Sequence, residues 1–275
     1  MNPHAEPPAS LQGMFRTLWV HRQLIARMSQ REVIGRYRGA ALGLVWSFLT
    51  PLFMLAIYTF VFSVVFKARW GAGEESRTQF AIVLFAGLIV HALFAEVINR
   101  APQLVLGNVN YVKKVVFPLE ILPVVQLVAA VFHGLVSVAV LLVAKFFFMG
   151  SVPMTALFFP LVILPLLILI LGLSWALASL GVFARDVGQT IGLITSVMLF
   201  MSPVFFPVES LPASLQPWMR LNPLTFIIEQ VRAVLVWGHE PHWSGLLLYA
   251  IIAVAVAWLG FAWFQKTRKG FADVL

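Results

Sequence analysis

Long uncharged apolar runs alternate along the chain with short polar interruptions, and the interruptions set the architecture. No charged residue lies between Arg38 and Lys67, and the run from about Leu42 to Phe66 exceeds the roughly 20 residues that a bilayer crossing needs. This is span one. The polar stretch KARWGAGEESRTQ follows, and Phe80 to about Asn99 supplies a second, shorter span that ends beside the Glu96 and Arg100 pair. Ala101 to Pro118 is too polar to cross. Leu119 to about Phe147 makes span three, and the turn signal Met149-Gly150-Ser151-Val152-Pro153 divides it from span four, about Met154 to Phe183. Pro160 and Pro165 free backbone carbonyls within span four and are expected to bend it unless neighbours satisfy them. After a very short turn at Arg185 and Asp186, Val187 to about Phe205 reads as span five. Trp243 to Phe264 reads as span six, closed by Lys266, Arg268 and Lys269. The predicted fold is all-α and membrane-integral, with six transmembrane helices in a domain covering residues 36–275. No sequence repeat relates the two halves.

Other segments fall outside this scheme. Residues 1–10 read as a disordered tail, without the basic region and apolar core of a cleavable signal peptide. Over residues 11–35, Leu11, Met14, Phe15, Leu18, Trp19 and Ile25 recur near helical spacing, with Arg16, Gln23, Arg27 and Arg31 opposite. That is the pattern of an amphipathic helix lying in the membrane interface. Arg22 falls on the apolar side, from which a long side chain snorkels to the headgroups. Arg27, Arg31, Arg36 and Arg38 fit two roles: anchoring to anionic lipid, or contact with a phosphate on a lipid-linked substrate, since guanidinium forks match phosphate oxygens.

The connection over about 105–116 interleaves Asn108, Asn110, Tyr111, Lys113 and Lys114 with valines. It reads either as a solvated turn or as a short membrane-surface helix that docks a separate soluble protein. Residues 206–238 are too apolar for a free loop and too short in each apolar run to span, which points to an external re-entrant or interfacial element. Within it, Asn222 followed by Pro223 has the pattern of an N-cap and first helical position, predicting a helix from Leu224 to about Trp237. Glu229 and Arg232, three apart, can pair on one face of that helix.

Composition narrows the function classes. Of the 275 residues, 61% are hydrophobic and 11% charged, against roughly 45–50% and 25% in globular proteins, which excludes a water-soluble fold. The net charge of +8 reflects retention of Lys and Arg on the cytoplasmic side rather than nucleic-acid binding. With both termini inside, cytoplasmic segments hold most of the 19 Lys and Arg residues, including those from Arg16 to Arg38, Arg100, Lys113, Lys114, Arg185 and the C-terminal cluster. The absence of cysteine excludes disulfides, thiolate metal sites and thiol nucleophiles. No GxxxxGK[ST] stretch occurs, so the chain has no phosphate-cradling P-loop and is not expected to hydrolyse ATP. HExxH and GxSxG are also absent. His239, Glu240 and His242 read as solvated loop residues, and no metal site is expected. His91 and His133, within spans, read as proton-relay groups or as hydrogen-bonding partners of a neighbour.

The spans hold almost no carboxylate to bind a coupling ion, so the free energy for any transport is expected to come from another polypeptide. Aromatic surface is abundant, with 24 Phe, 9 Trp and 4 Tyr. Some of these rings, from a set including Trp46, Phe53, Tyr58, Trp175, Phe200 and Phe205, can line a path in which apolar sugar faces stack without an ionic grip.

Three stretches together carry a resemblance. RYRGAALGLVWSFLTPL at 36–52, FPLEILP at 117–123, and SPVFFP at 202–207 leading to LNPLT at 221–225 resemble the membrane subunits of bacterial ATP-binding-cassette exporters for O-antigen, capsule and teichoic acid. The resemblance covers nearly the whole chain after residue ten. It implies a homodimeric permease in the bacterial cytoplasmic membrane, served by two copies of a separate ATPase that uses ATP and Mg, with no cofactor bound by this chain and no catalytic residue. The cargo implied is a lipid-linked glycan, and the route outward is open to extension by envelope export proteins. By the same resemblance residues near Asn108 to Val116 form a coupling helix, the helices after Phe205 form re-entrant gate helices, and aromatics of spans one and five contribute to the channel wall. Two alternatives stand beside this reading: an exporter of a small amphiphile, drug or ion, and a membrane scaffold with no substrate.

Overall fold

The computed structural model describes residues 9–61, 77–113 and 117–275, and the regular structure among them is helical. The Ser10 hydroxyl opens α1 (Leu11–Val20) by accepting the Gly13 N–H at 3.0 Å. After a break at His21 comes α2 (Arg22–Tyr37), then α3 (Trp46–Tyr58) and α4 (Arg77–Arg100). Two 3-10 turns lead to α5 (Val109–Lys113), followed by α6 (Leu122–Met149), α7 (Phe159–Phe183) and α8 (Val187–Phe200). The chain closes with α9 (Gln216–Leu221), α10 (Pro223–Arg232), α11 (Trp243–Thr267) and α12 (Phe271–Val274).

Five helical stretches are long and apolar enough to cross a bilayer: Gly43–Val61, Thr78–Gln103, Leu119–Met149, Met154–Phe183 and Trp243–Val274. They coincide with the expected spans one, two, three, four and six, and the chain is a multi-pass membrane protein. The 62–66 end of span one, the polar loop after it and Lys114 lie outside the described residues.

Span five differs from expectation. Helix α8 has 14 residues, about 21 Å at 1.5 Å per residue, against a hydrocarbon core of roughly 30 Å. Pro203 explains the early stop, because it offers no N–H to the preceding turn and its ring clashes with the helix that would continue. The chain therefore turns at Met201–Phe206 instead of running helical to Phe205. Pro160 also behaves differently from a kink residue: it falls in the first turn of α7, where its missing N–H would have had no partner, leaving Pro165 as the interior proline.

Helix α4 is the hub. It is the most buried of the five candidate spans and receives α3, α6, α7, α8 and α10 on its faces. A second core closes the end of the bundle that carries α1 and α5, here called the basic end. There Met14, Val105, Trp175, Val182, Phe261, Phe264 and Phe271 cluster, and the Trp175 indole N–H donates to the Glu120 carbonyl at 2.8 Å. The opposite end is capped by α9 and α10.

The tightest seam joins α7 and α11. A Cβ at Gly260 would lie 2.0 Å from the Gly172 carbonyl oxygen, and one at Gly172 would lie 2.6 Å from Ala257 Cα. With Ala253 and Ala257 buried on the same side of α11, this is the small-residue packing by which membrane helices bring their backbones together.

The interface segment is also reorganised. Helix α1 keeps an amphipathic pattern, with Met14 buried and Phe15 and Trp19 exposed, but the expected single helix over 11–35 divides at His21. In α2 the side turned to the bundle carries Ile25, Ser29, Glu32 and Arg36, at helical spacing, so that helix docks on α6 through polar groups beside an apolar contact of Ile25, Leu24 and Met28 with Val124 and Val125.

Candidate functional site

The polar stripe of α2 builds a ladder at the junction with α4 and α6. Arg36 Nη1 donates to Glu96 Oε1 at 2.6 Å and lies 2.7 Å from His133 Nδ1, which is itself 3.0 Å from Glu96 Oε1. One rung further along, Arg100 Nη1 meets Glu32 Oε1 at 3.0 Å and Gln126 Oε1 at 2.9 Å. The Tyr37 ring meets His133 edge-on at 5.9 Å. Its phenol is raised above the ordinary value, chiefly by burial, with Arg36 lowering it and Glu96 raising it, so it stays a neutral hydroxyl.

This ladder redistributes the arginines. Arg36, expected at a lipid phosphate, also meets Glu96 and His133 while its side chain stays 46% exposed, and Arg27, Arg31 and Arg38 are exposed as well. Arg22 lies with its guanidinium carbon 4.8 Å from the Trp19 ring centre and donates to the Trp19 carbonyl at 2.9 Å. Glu96 and Arg100, four residues apart on α4, turn to different partners. His133, like His91, takes the hydrogen-bonding role of its two expected ones; Glu32 and Gln126 were not among the expected site residues, and their only sequence signal was an isolated polar side chain.

Two apolar helices flank α4 with much of their surface bare. On α3, Trp46 and Phe53 are exposed, Phe53 by 53%, and Tyr58 is half-buried near the far end. On α8, Phe200 is 65% exposed and stacks on Phe205, with ring centres 5.6 Å apart and planes 25° from parallel. Helix α8 is tied to α4 by polar contacts: His91 Nε2 lies 3.0 Å from the Thr195 carbonyl, and the Thr195 hydroxyl donates to Asn99 Oδ1 at 2.8 Å. His91 thus bonds a neighbouring helix, the second of its two expected roles.

The cap is braced by its polar residues. Asn222 Oδ1 accepts the Leu224 N–H at 2.9 Å, with Pro223 in the first helical turn, as its sequence pattern predicted. The same side chain donates through Nδ2 to the Met201 carbonyl at 2.8 Å and to the Ser202 hydroxyl at 2.9 Å. Helix α10 continues as a π turn, Ala233–Trp237, and stops at Gly238 in the left-handed region, φ 74°. Glu229 acts on Arg232 electrostatically, but the hydrogen-bonding fork is committed elsewhere. Arg232 turns its guanidinium to the carbonyls of Val83, Pro203 and Val204, acceptors left by the proline-rich turn and by α4. Glu229, Glu209, Arg232, Trp237 and the Pro203 and Pro207 rings line an open pocket of about 180 Å³. His242 caps α11, its Nδ1 accepting the Gly245 N–H at 3.2 Å.

At the basic end α5 packs beside α12. Asn108 Nδ2 donates to the Leu104 carbonyl at 2.8 Å, and Tyr111 stacks on Phe117 at 4.3 Å, so both shape the connection itself. Asn110 and Lys113 are exposed.

The described residues thus form a multi-pass helical membrane bundle with an entry helix docked on α6, a helical connection at one end and a helical cap at the other. Residues 23–236 match the family model described as ABC-2 type transporter. The chain belongs to that family, as a membrane permease subunit without an ATPase domain of its own. It is similar to the O-antigen export system permease protein RfbA of Myxococcus xanthus, 25% identical over 262 residues that cover 94% of this chain and 98% of the relative. It is also similar to an RfbA of Klebsiella pneumoniae, at 24% over 260 residues, covering 92% of this chain and 95% of that one. The polysialic acid transport protein KpsM of Escherichia coli is 22% identical over 260 residues, covering 91% of this chain and 95% of KpsM.

Proposed function

We propose that this chain is the permease subunit of an ATP-driven exporter that moves a lipid-linked polysaccharide across the bacterial cytoplasmic membrane. It works as a homodimer with two copies of a nucleotide-binding ATPase. The observation that carries the cargo is similarity over nine-tenths of the chain to proteins named for O-antigen export and polysialic acid transport.

The geometry supports a pathway between two copies. Helix α4 is surrounded by protein, while α3 and α8 beside it present Trp46, Phe53 and Phe200 outward, giving a second copy an aromatic wall to meet. In this reading α8 and its elbow complete a sixth crossing, and both termini are cytoplasmic, which the distribution of basic residues favours. Trp46, Phe53, Tyr58, Phe200 and Phe205 offer ring faces to sugars. Arg27, Arg31, Arg36 and Arg38 contact lipid phosphate. The α9–α10 hairpin is the external re-entrant gate.

The test is ATPase turnover after reconstitution. The purified subunit alone should be inactive, and activity should appear with the ATPase partner and rise with a glycan-lipid. Robust turnover by the lone chain would overturn the division of labour; stimulation only by small amphiphiles would favour that rival cargo. Docking at α5 has its own check. Lys113→Glu should weaken association with the ATPase about tenfold and lower coupled turnover without unfolding the subunit, because Lys113 is exposed. Unchanged affinity and turnover would remove α5 from the docking surface.

A further inference from the structure

Arg232 is 3% exposed, and its guanidinium is divided among backbone carbonyls from two distant parts of the chain. Nε donates to the Val83 carbonyl at 2.9 Å, Nη1 to that of Pro203, and Nη2 to that of Val204 at 2.9 Å. Pro203 and Val204 form the elbow where α8 stops. Val83 lies inside α4, where its carbonyl already serves the helix, but a carbonyl has a second lone pair. Access to it comes from the residue one turn on. That residue is Gly87, where a Cβ would lie 2.7 Å from Arg232 Nη2 and 3.4 Å from Cζ. A planar fork can reach three acceptors spread in this way, and an ammonium on a single stem cannot do so equally well.

We propose that Arg232 is the positioning residue of the cap: it pins the α8 elbow, and with it the Phe200–Phe205 pair, to α4, with Gly87 as the slot that admits it, and export depends on this pin. The dependence of export rests on the function proposed above. The pin itself does not.

The absence of native cysteine makes single-cysteine labelling a clean probe in the full chain assembled with its ATPase. Val204 on the elbow and Val234 on the π turn are both 0% exposed. A cysteine introduced at either position should resist a water-soluble maleimide in the parent. Arg232→Gln should raise labelling at the Val204 position at least tenfold and leave the Val234 position protected. Gly87→Ala should do the same with the charge intact, and should add nothing in the Arg232→Gln background, where no guanidinium remains to displace. Arg232→Lys should fall between parent and Arg232→Gln. Unchanged labelling in Arg232→Gln, additive effects, or equal exposure at both positions would overturn the pin.

Coupled ATPase turnover reads the export role. A severalfold fall in Arg232→Gln, partly restored in Arg232→Lys, is expected, and unchanged turnover despite an exposed elbow would overturn that role alone. Failure of a glycan-lipid to stimulate the parent complex would instead overturn the cargo and leave the labelling comparison standing.

Discussion

Replacing Gly260 by valine should destabilise the subunit far more than a change at an exposed helical glycine. The added Cβ alone would lie 2.0 Å from the Gly172 carbonyl oxygen and 2.8 Å from its carbon. These are backbone atoms in the middle of a helix, so no side chain can swing away and the two helices must separate. Overpacking of a well-filled site costs about 1–3 kcal/mol, and a rigid obstacle places Gly260→Val at or above the upper end. Gly35 is the matched control. It is also helical, but nothing lies within 4 Å of its Cβ position, so Gly35→Ala should hold or raise stability by up to about 1 kcal/mol through helix propensity. Thermal unfolding of the two variants in detergent measures the contrast. A Gly260→Val protein that melts with the parent would mean that the seam is looser than drawn.

The second large effect is expected at Glu96. Exposed ion pairs contribute about 0–1 kcal/mol, so the Arg100–Glu32 pair, with both side chains well exposed, is a small contributor. Glu96 differs because its side chain is only 17% exposed and stands between Arg36 and His133. Glu96→Ala leaves those two nitrogen groups 2.7 Å apart with no anion between them. Arg36 is 46% exposed and regains solvent as a partner, so the loss is screened to about 1 kcal/mol, equivalent to about fivefold in the population of an opened α2. Hydrogen exchange over 22–37 should therefore quicken by about that factor, while α4 and α6, held by the apolar core, keep their protection. Equal protection of α2 in parent and variant would remove the ladder as its attachment.

The comparison between sequence and structure follows the range of the interactions involved. Span limits were legible because charge and turn residues act locally: Arg100 ends α4, Gly150 in the left-handed region ends α6, and Asn222 with Pro223 starts α10. Family membership was legible in three short motifs read in order. The docking of α2 was hidden, since its partners lie 60 to 97 residues away and its bundle-facing side mixes Ile25 and Met28 with Ser29, Glu32 and Arg36, so apolar periodicity alone shows only part of it. Span five was read through to Phe205 because apolar character continues past the point where Pro203 stops the helix. The three-residue spacing of Glu229 and Arg232 suggested a pair, yet the guanidinium goes to carbonyls contributed by distant backbone, which no local pattern reveals.

The seam between α7 and α11 limits how the molecule can deform. Where two backbones touch, one helix cannot slide along the other without lifting over it, so that flank serves as a keel. Shear has to be absorbed on the far side of α4, where α3 and α8 are held by fewer neighbours and ride on it like loosely lashed spars. The bundle is thus tied unevenly, with one flank locked backbone to backbone and the other attached through α4, α6 and a few polar contacts.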